Sequence, residues 1–390
     1  MNNNQNKSGT GNDELKKIVV IGPVYPFKGG IAHYTGLLVR SLRKKYDVEA
    51  VSYKMQYPKI MFKKEQRDYS NKTFAIDDAK FWINTANPFN IIGVAGKIKK
   101  MKPDLVIISW WHPYFAPCYQ ILASFLGKCK IAYLCHNVLP HERFPFDKAL
   151  SKGTLKKADF CIVHSEEDKA DLAGILPGMV CKKNMHPTYN AFRINDISRE
   201  DARKQLDISD DEKVILFFGL VRKYKGLMHL LNAMPAIIKN VPDIKLFIVG
   251  DFGDDKAEYI SKIEELKIGE NIVIRDGYVP DDEVEPYFAA ADLNVCPYES
   301  ATQSGILQIA FGFGLPAVVT RVGGLPEVVT DGETGYVVPP LDPASLADAI
   351  SDYFMNSKED YMRAKVEEDS YRFSWDRMTE TVEELWEKVR

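Results

Sequence analysis

Three absences narrow the possibilities before any motif is considered. The six cysteines, Cys118, Cys129, Cys135, Cys161, Cys181 and Cys296, form no C-x-x-C pair, and most lie in apolar stretches where a free thiol behaves as a small hydrophobe. A disulfide framework is therefore not expected, and the cysteine usage suits a reducing cytoplasm. No basic stretch followed by an apolar run opens the chain. Residues 1–15 are polar, rich in Asn, Gly, Ser and Thr, and read as a disordered tail rather than a secretion signal. Long uninterrupted apolar runs are also missing: the most apolar window, Leu105 to Leu126, is broken by His112, prolines and polar groups, so it reads as a buried strand and helix and not as a membrane span. No short internal repeat is evident.

What is present is an alternation of strand-like and helix-like patterns along almost all of the 390 residues, which is long for one domain and comfortable for two. Strands are expected at Lys17–Ile21, Val48–Tyr53, Leu105–Ser109, Ile131–Cys135 and Phe160–His164, with an amphipathic helix from about Ile31 to Lys45. The pattern fades near Pro187–Asp196 and resumes with Ser198 as a helix cap. Strands then follow at Val214–Phe218, Lys245–Val249, Ile272–Ile274, Leu293–Cys296 and Ala317–Thr320. The expected organisation is a first doubly wound domain over residues 16–190 and a second over 197–370. The last 17 residues, 374–390, read as a charged amphipathic helix. The small net charge conceals an asymmetry: residues 1–190 hold 29 Lys and Arg against 16 Asp and Glu, and residues 191–390 hold 22 against 38. A half at +13 faces a half at −16, which could draw the basic half to anionic lipid, an acidic acceptor or nucleic acid, or could simply be solvated surface charge.

The segment from Ser300 to Gly335 carries the most information. Ser304-Gly305 opens the apolar run Ile306–Phe313, so the first amides of that helix point outward without partners and suit an anion. Gly314 and Pro316 end the helix, Ala317–Thr320 reads as a buried parallel strand, and Gly323-Gly324 turns the chain beyond it. In open α/β sheets ligands bind outside the carboxyl ends of the strands, so both turns should line one crevice. Either turn alone would more simply be a tight turn.

These residues resemble the donor-binding region of the family 4 glycosyltransferases of the GT-B fold, whose pattern runs E-G-F-G-L-x-x-L-E-A-M-A-x-G-x-P-V-V-x-T-x-x-G-G-x-P-E. Gly314, Pro316, Val318, Val319, Thr320, Gly323, Gly324, Pro326 and Glu327 match it in register, whereas the two glutamate positions hold Ala301 and Ile309. The resemblance implies two Rossmann-like domains facing each other across a cleft, with the terminal helix packing back on the first. It also implies a retaining transfer of a hexose or N-acetylhexosamine from a UDP- or GDP-sugar to a glycan or lipid-linked acceptor, with no bound metal required. With both acids replaced, Thr302, Gln303 and Ser304, together with Gly305 and Ile306, are the candidates for the remaining donor contacts. Glu327 would hold the glycine turn or reach a donor hydroxyl.

Further candidates lie at other strand ends. Gly219 closes an apolar strand, and Arg222 and Lys225 come after it in a short loop before Gly226; cations there would neutralise a pyrophosphate, although a solvated basic loop is the plainer alternative. The family's G-R-L-x-x-x-K-G matches at Gly219, Lys225 and Gly226, with Arg222 standing in for an arginine displaced by Leu220. Gly29-Gly30, after Lys28, matches the family's glycine loop facing donor phosphates and acceptor, and free amides at a helix start supply the physical warrant. His136 takes the place of a histidine that the family presents beside the anomeric carbon. A lone histidine at a strand end is otherwise more often structural. Gly250 and Tyr278 sit where the family holds the nucleotide base. His112, Lys28 and Arg143 are the acceptor-side candidates, and the acids of Asp251–Asp255 read as a polar helix cap rather than a metal site. Tyr57–Arg67 interleaves basic and apolar residues as membrane-surface segments do, although a buried edge with snorkelling lysines would look the same.

The expected partners are thus a nucleotide sugar, a glycan or lipid-linked acceptor and a peripheral contact with the inner membrane surface, with no nucleic acid. Loss of both glutamates leaves a second reading open, a non-catalytic sugar-nucleotide sensor or scaffold subunit. An epimerase on the same fold would need paired acid/base carboxylates, and none stands out.

Overall fold

The computed structural model describes residues 15–60, 65–69, 72–140 and 144–389. The first sheet gathers β1 (Lys17–Ile21), β2 (Asp47–Met55), β3 (Lys80–Asn84), β4 (Leu105–Trp110), β5 (Lys130–Cys135), β6 (Phe160–Val163) and β7 (Cys181–Lys183) in the order β3-β2-β1-β4-β5-β6-β7. All six pairings are parallel. Crossovers between parallel strands require helices, here α1 (Gly30–Leu42), α2 (Pro88–Lys100), α3 (Ala116–Phe125), α4 (Asp147–Leu155) and α5 (Glu166–Ile175). Because helices cover both faces, β1, β4, β5 and β6 are apolar almost throughout and nearly fully buried. Helix α1 packs with Ile18 and Val20 on one face; α2, α3 and part of α4 and α5 pack with Val19 and Ile21 on the other.

The second sheet has the order β10-β9-β8-β11-β12-β13, again parallel at every pairing. In chain order its elements are α6 (Arg199–Gln205), β8 (Lys213–Phe218), α7 (Leu227–Asn240), β9 (Ile244–Gly250), α8 (Lys256–Leu266), β10 (Ile272–Asp276), α9 (Glu285–Ala290), β11 (Leu293–Cys296), α10 (Gly305–Gly312), β12 (Ala317–Thr320), α11 (Leu325–Val328), β13 (Gly335–Val338), α12 (Pro343–Met355) and α13 (Glu359–Glu368). Ser198 caps α6, its hydroxyl accepting from the Asp201 amide at 3.1 Å. The last helix, α14 (Trp375–Lys388), returns to α1. It buries Met378, Val382, Leu385 and Trp386 in the α1 core, and its Thr379 hydroxyl lies 3.0 Å from that of Ser41. Three edge strands, β3, β7 and β13, were not expected from the sequence, being short or only partly apolar. No helix among the described residues is long and apolar enough to cross a membrane.

Candidate active site

The switch point of the second sheet lies between β8 and β11, its two innermost neighbours, and the polar residues after these strands face one cleft. Gly219 (φ +99°), just beyond β8, and Gly250 (φ +144°), the last residue of β9, press together: a Cβ on Gly250 would lie 2.0 Å from the Gly219 carbonyl oxygen. A tight turn then carries Arg222 and Lys225 to Gly226, where a Cβ would come within 1.9 Å of the Pro297 carbonyl oxygen. Lys225 is thereby wedged under β11. It is only 9% exposed, with its ammonium 5.7 Å from the centre of the Tyr298 ring. Among the described residues no hydrogen bond or ion pair reaches that ammonium, and burial, with the like charge of Arg222 adding to it, lowers its pKa to about 8. Arg222 has one hydrogen bond, from Nη1 to the Val221 carbonyl at 2.9 Å, and no carboxylate within ion-pair reach among the described residues. Neither cation has a counter-charge among the described residues; Lys225 lines the cleft, whereas the Arg222 guanidinium lies toward Gly253, so Lys225 is the one that offers an anion site in the cleft.

Opposite them, α10 presents its N-terminus. Ser304 caps it, accepting from the Leu307 amide at 3.3 Å and lying 3.3 Å from the Tyr298 hydroxyl. Its hydroxyl is therefore committed to the helix. The amides of Gly305 and Ile306 have no acceptor among the described residues, and both residues line the cleft. The cleft holds about 640 Å³ and is closed on the other side by Trp111, His112, Asn137 and Pro140 of the first domain. That volume suits a small-molecule ligand. His112 accepts the Tyr114 amide on Nδ1 at 3.0 Å and stacks 5.8 Å from Phe144, and burial lowers its pKa, so the neutral ring carries its proton on Nε2.

Several expected residues have other employment. Thr302 donates to the Asn137 side-chain oxygen at 2.6 Å, and Gln303 donates to the His164 carbonyl at 3.0 Å, both across the domain boundary. Glu327 faces the first domain as well: its carboxylate accepts from the Glu166 amide at 3.0 Å and from the Lys183 ammonium at 2.8 Å, so it caps α5 instead of turning toward the cleft. The adjacent glycine turn packs under the loop. Gly323 (φ +47°) leaves 1.5 Å between a would-be Cβ and the Ala301 carbonyl oxygen, and the Gly324 amide donates to the Thr302 carbonyl at 2.9 Å. Of the two positions where the resembled pattern has glutamate, Ala301 lines the cleft and Ile309 lies in the core.

His136 does not line the cleft. It is buried edge-on against Tyr34 at 4.7 Å, beside His164 at 5.7 Å, with Nε2 unpartnered; burial first, then the neighbouring His164 and His186, holds its pKa well below the ordinary value. Asn137, one residue later, is the side chain that reaches the cleft. Lys28 and Tyr278 meet at another junction of the domains, and the Gly29-Gly30 loop links it to the start of α10, since Tyr189 lies 3.6 Å from the would-be Cβ of both Gly30 and Gly305. There the Lys28 ammonium sits 4.8 Å from the centre of the Tyr278 ring, His33 pairs with Asp281 at 2.8 Å, and the Gly30 carbonyl accepts from Tyr189 at 3.0 Å. Arg143 lies outside the described residues. The Asp251 carboxylate accepts from the Gly253 amide at 2.8 Å, in the turn leading to α8. Sequence reasoning missed Asn137, Tyr224 and Tyr298 as cleft residues; the aromatic pair beyond β8 and β11 was the available signal.

Residues 212–356, most of the second domain, match the family described as group 1 glycosyl transferases. Spore coat protein SA of Bacillus subtilis (strain 168) is 28% identical over 316 residues, 75% of each chain. A D-inositol 3-phosphate glycosyltransferase of Corynebacterium urealyticum is 28% identical over 313 residues, 76% of this chain and 70% of its own. Among solved structures, sucrose-phosphate synthase from Thermosynechococcus elongatus superposes with a TM-score of 0.73 at 19% identity, covering 96% of this chain and 99% of that one. Anabaena HepE in complex with UDP-glucose superposes with a TM-score of 0.70 at 18% identity, covering 95% and 99%. The matched second domain holds the anion site and the whole chain shares the two-domain architecture, so the protein is a glycosyltransferase of the GT-B fold whose second domain matches the group 1 glycosyl transferases.

Proposed function

We propose that the protein transfers a hexose or N-acetylhexosamine from a UDP- or GDP-sugar to a glycan or lipid-linked acceptor, with retention at the anomeric carbon, in the synthesis of cell-surface polysaccharide or glycoconjugate. The unpaired, buried Lys225 beside Arg222 carries this reading. A diphosphate held there and by the amides of Gly305 and Ile306 would develop its negative charge against preorganised donors in the cleft between the domains. The bond from the anomeric carbon to the diphosphate oxygen breaks, and the bond to the acceptor oxygen forms on the same face. No carboxylate lines the cleft among the described residues, which leaves the departing phosphate oxygen as the group that takes the acceptor proton. The two cations supply the charge that a divalent metal would otherwise bring, so turnover is expected to survive chelation. His112 Nε2–H offers the acceptor a hydrogen-bond donor. A solved relative carries UDP-glucose, which supports a UDP donor. A peripheral place at the cytoplasmic face of a membrane belongs to the same reading.

Thr302, Gln303 and Glu327 are engaged across the domain boundary, and this favours a second reading, a sugar-nucleotide sensor without turnover. A panel of UDP- and GDP-sugars, assayed for release of nucleoside diphosphate with and without a crude lipid acceptor fraction and with and without EDTA, separates the two. Release from one donor, faster with acceptor, is expected; binding without release from any donor would establish the sensor.

A further inference from the structure

The outer surface of one helix layer of the first domain is not accounted for by the cleft. Helices α2, α3 and α4 lie side by side over one face of the sheet and bury Ile91, Val94, Ile98, Tyr119, Leu122 and Leu155 beneath them. In an ordinary soluble layer the opposite side would mix charges of both signs. Here α2 and α3 carry no acidic residue and the one carboxylate of α4, Asp147, is buried, so the accessible acids of the layer's helices, Glu166, Glu167 and Asp171, are confined to α5 at its far edge. The exposed cations are Lys97, Lys99 and Lys100 on α2, Lys148 and Lys152 on α4, and Lys156 at its end. Among the described residues none of these six makes an ion pair. On or beside the same helices stand exposed apolar side chains: Phe89 is 87% exposed, Phe146 78% and the half-covered Phe125 49%.

We infer that this face docks the protein on an anionic lipid bilayer. Lysines alone would suit any polyanion, but phenylalanines standing nearly clear of the protein gain nothing from a phosphate surface and gain apolar burial at the boundary between headgroups and acyl chains. The combination is the chemistry of a membrane interface. The second domain, with its acidic excess, would be held away from the same charge. The face also reaches the cleft. Phe144, at its upper end just before α4, stacks on His112, which lines the acceptor side. An acceptor anchored in the bilayer would thus arrive beside His112 without leaving the membrane. That last step rests on the proposed transfer; the docking itself does not. The surface is distinct from the Tyr57–Arg67 segment, part of which lies outside the described residues.

Flotation with vesicles of phosphatidylcholine alone, or with about one third phosphatidylglycerol, at about 0.1 M and 0.5 M salt tests the docking. The full chain is expected to float with the anionic vesicles at low salt and to be released at high salt. The triple variant Lys97→Glu, Lys100→Glu, Lys152→Glu is expected to bind at least about tenfold more weakly. Phe89→Ser with Phe146→Ser is expected to weaken vesicle binding while leaving retention on a polyanionic column unchanged. Both variants should keep the melting temperature and the nucleoside diphosphate affinity of the parent. No binding to anionic vesicles, or charge-reversed protein that floats as well as the parent, would overturn the inference. So would vesicle binding indifferent to the phenylalanine substitutions, which would mark a nucleic-acid or other polyanion surface. A protein that floats but releases no nucleoside diphosphate would end the transfer reading and leave the docking standing.

Discussion

At one end of the cleft the Lys225 ammonium has no carboxylate against it among the described residues; beyond the other end, where the domains meet, Thr302, Gln303 and Glu327 spend hydrogen bonds on the first domain, with Gln303 Oε1 left unpartnered. Burying a cation without a partner costs free energy that the fold alone does not return. Such a group persists where a ligand compensates it. Residues at the other end contribute to stability with no ligand present, as interdomain caps and hydrogen bonds do. The difference separates a surface kept for an anion from one used to hold the domains together, although the two motifs that supply them both follow strands of the second sheet.

The largest expected effect of breaking that contrast is at Lys225. Lys225→Met should lower turnover by about a hundredfold or more, while the ligand-free protein is as stable as the parent or more so. Steady-state kinetics and thermal melts on one preparation check both halves. Glu327→Ala should do the reverse: removing the carboxylate that caps α5 and pairs with Lys183 should cost about 1–2 kcal/mol of stability in denaturant melts and leave the affinity for nucleoside diphosphate within about twofold. If affinity falls and stability holds, Glu327 reaches the donor in the working enzyme. The smallest change is at Thr302. Thr302→Val removes one hydrogen bond to Asn137 and should cost about 1 kcal/mol, again with little effect on nucleotide binding by calorimetry.

The sequence made the two-layered parallel architecture legible because long, apolar, strand-length runs alternate with amphipathic stretches. The cations at the carboxyl end of β8 could be placed for the same reason: the apolar run stops at Phe218, so the polar residues that follow emerge at that edge of the sheet. Less legible was the direction of individual side chains. Whether His136 or Asn137 faces the cleft depends on a single step of alternation at the end of β5, and whether Glu327 turns toward the donor or toward α5 depends on how the domains meet. No local pattern encodes either. Ile309 was visible as a departure from the family pattern, but only its place in the core shows that no polar group substitutes for the missing acid there. The edge strand β7 was illegible because two of its three residues are lysines, and β3 and β13 because runs of five and four residues are too short to stand out.

Lys225 also links the contrast to pH. Its folded pKa of about 8 lies below the ordinary 10.5, so the unfolded chain binds the proton more strongly. The penalty for burying the charge, about 3 kcal/mol, is fully present below pH 8 and is relieved as pH rises through the window from about 8 to 10.5. Nucleoside diphosphate, which needs the charged form, should bind more weakly over the same rise. The most direct measurement is an NMR titration of the Lys225 side chain, assigned by comparison with Lys225→Met, with and without nucleoside diphosphate. The account predicts a midpoint near 8 in the free protein and a shift to 10.5 or above with the ligand bound; a midpoint that the ligand does not move would contradict it.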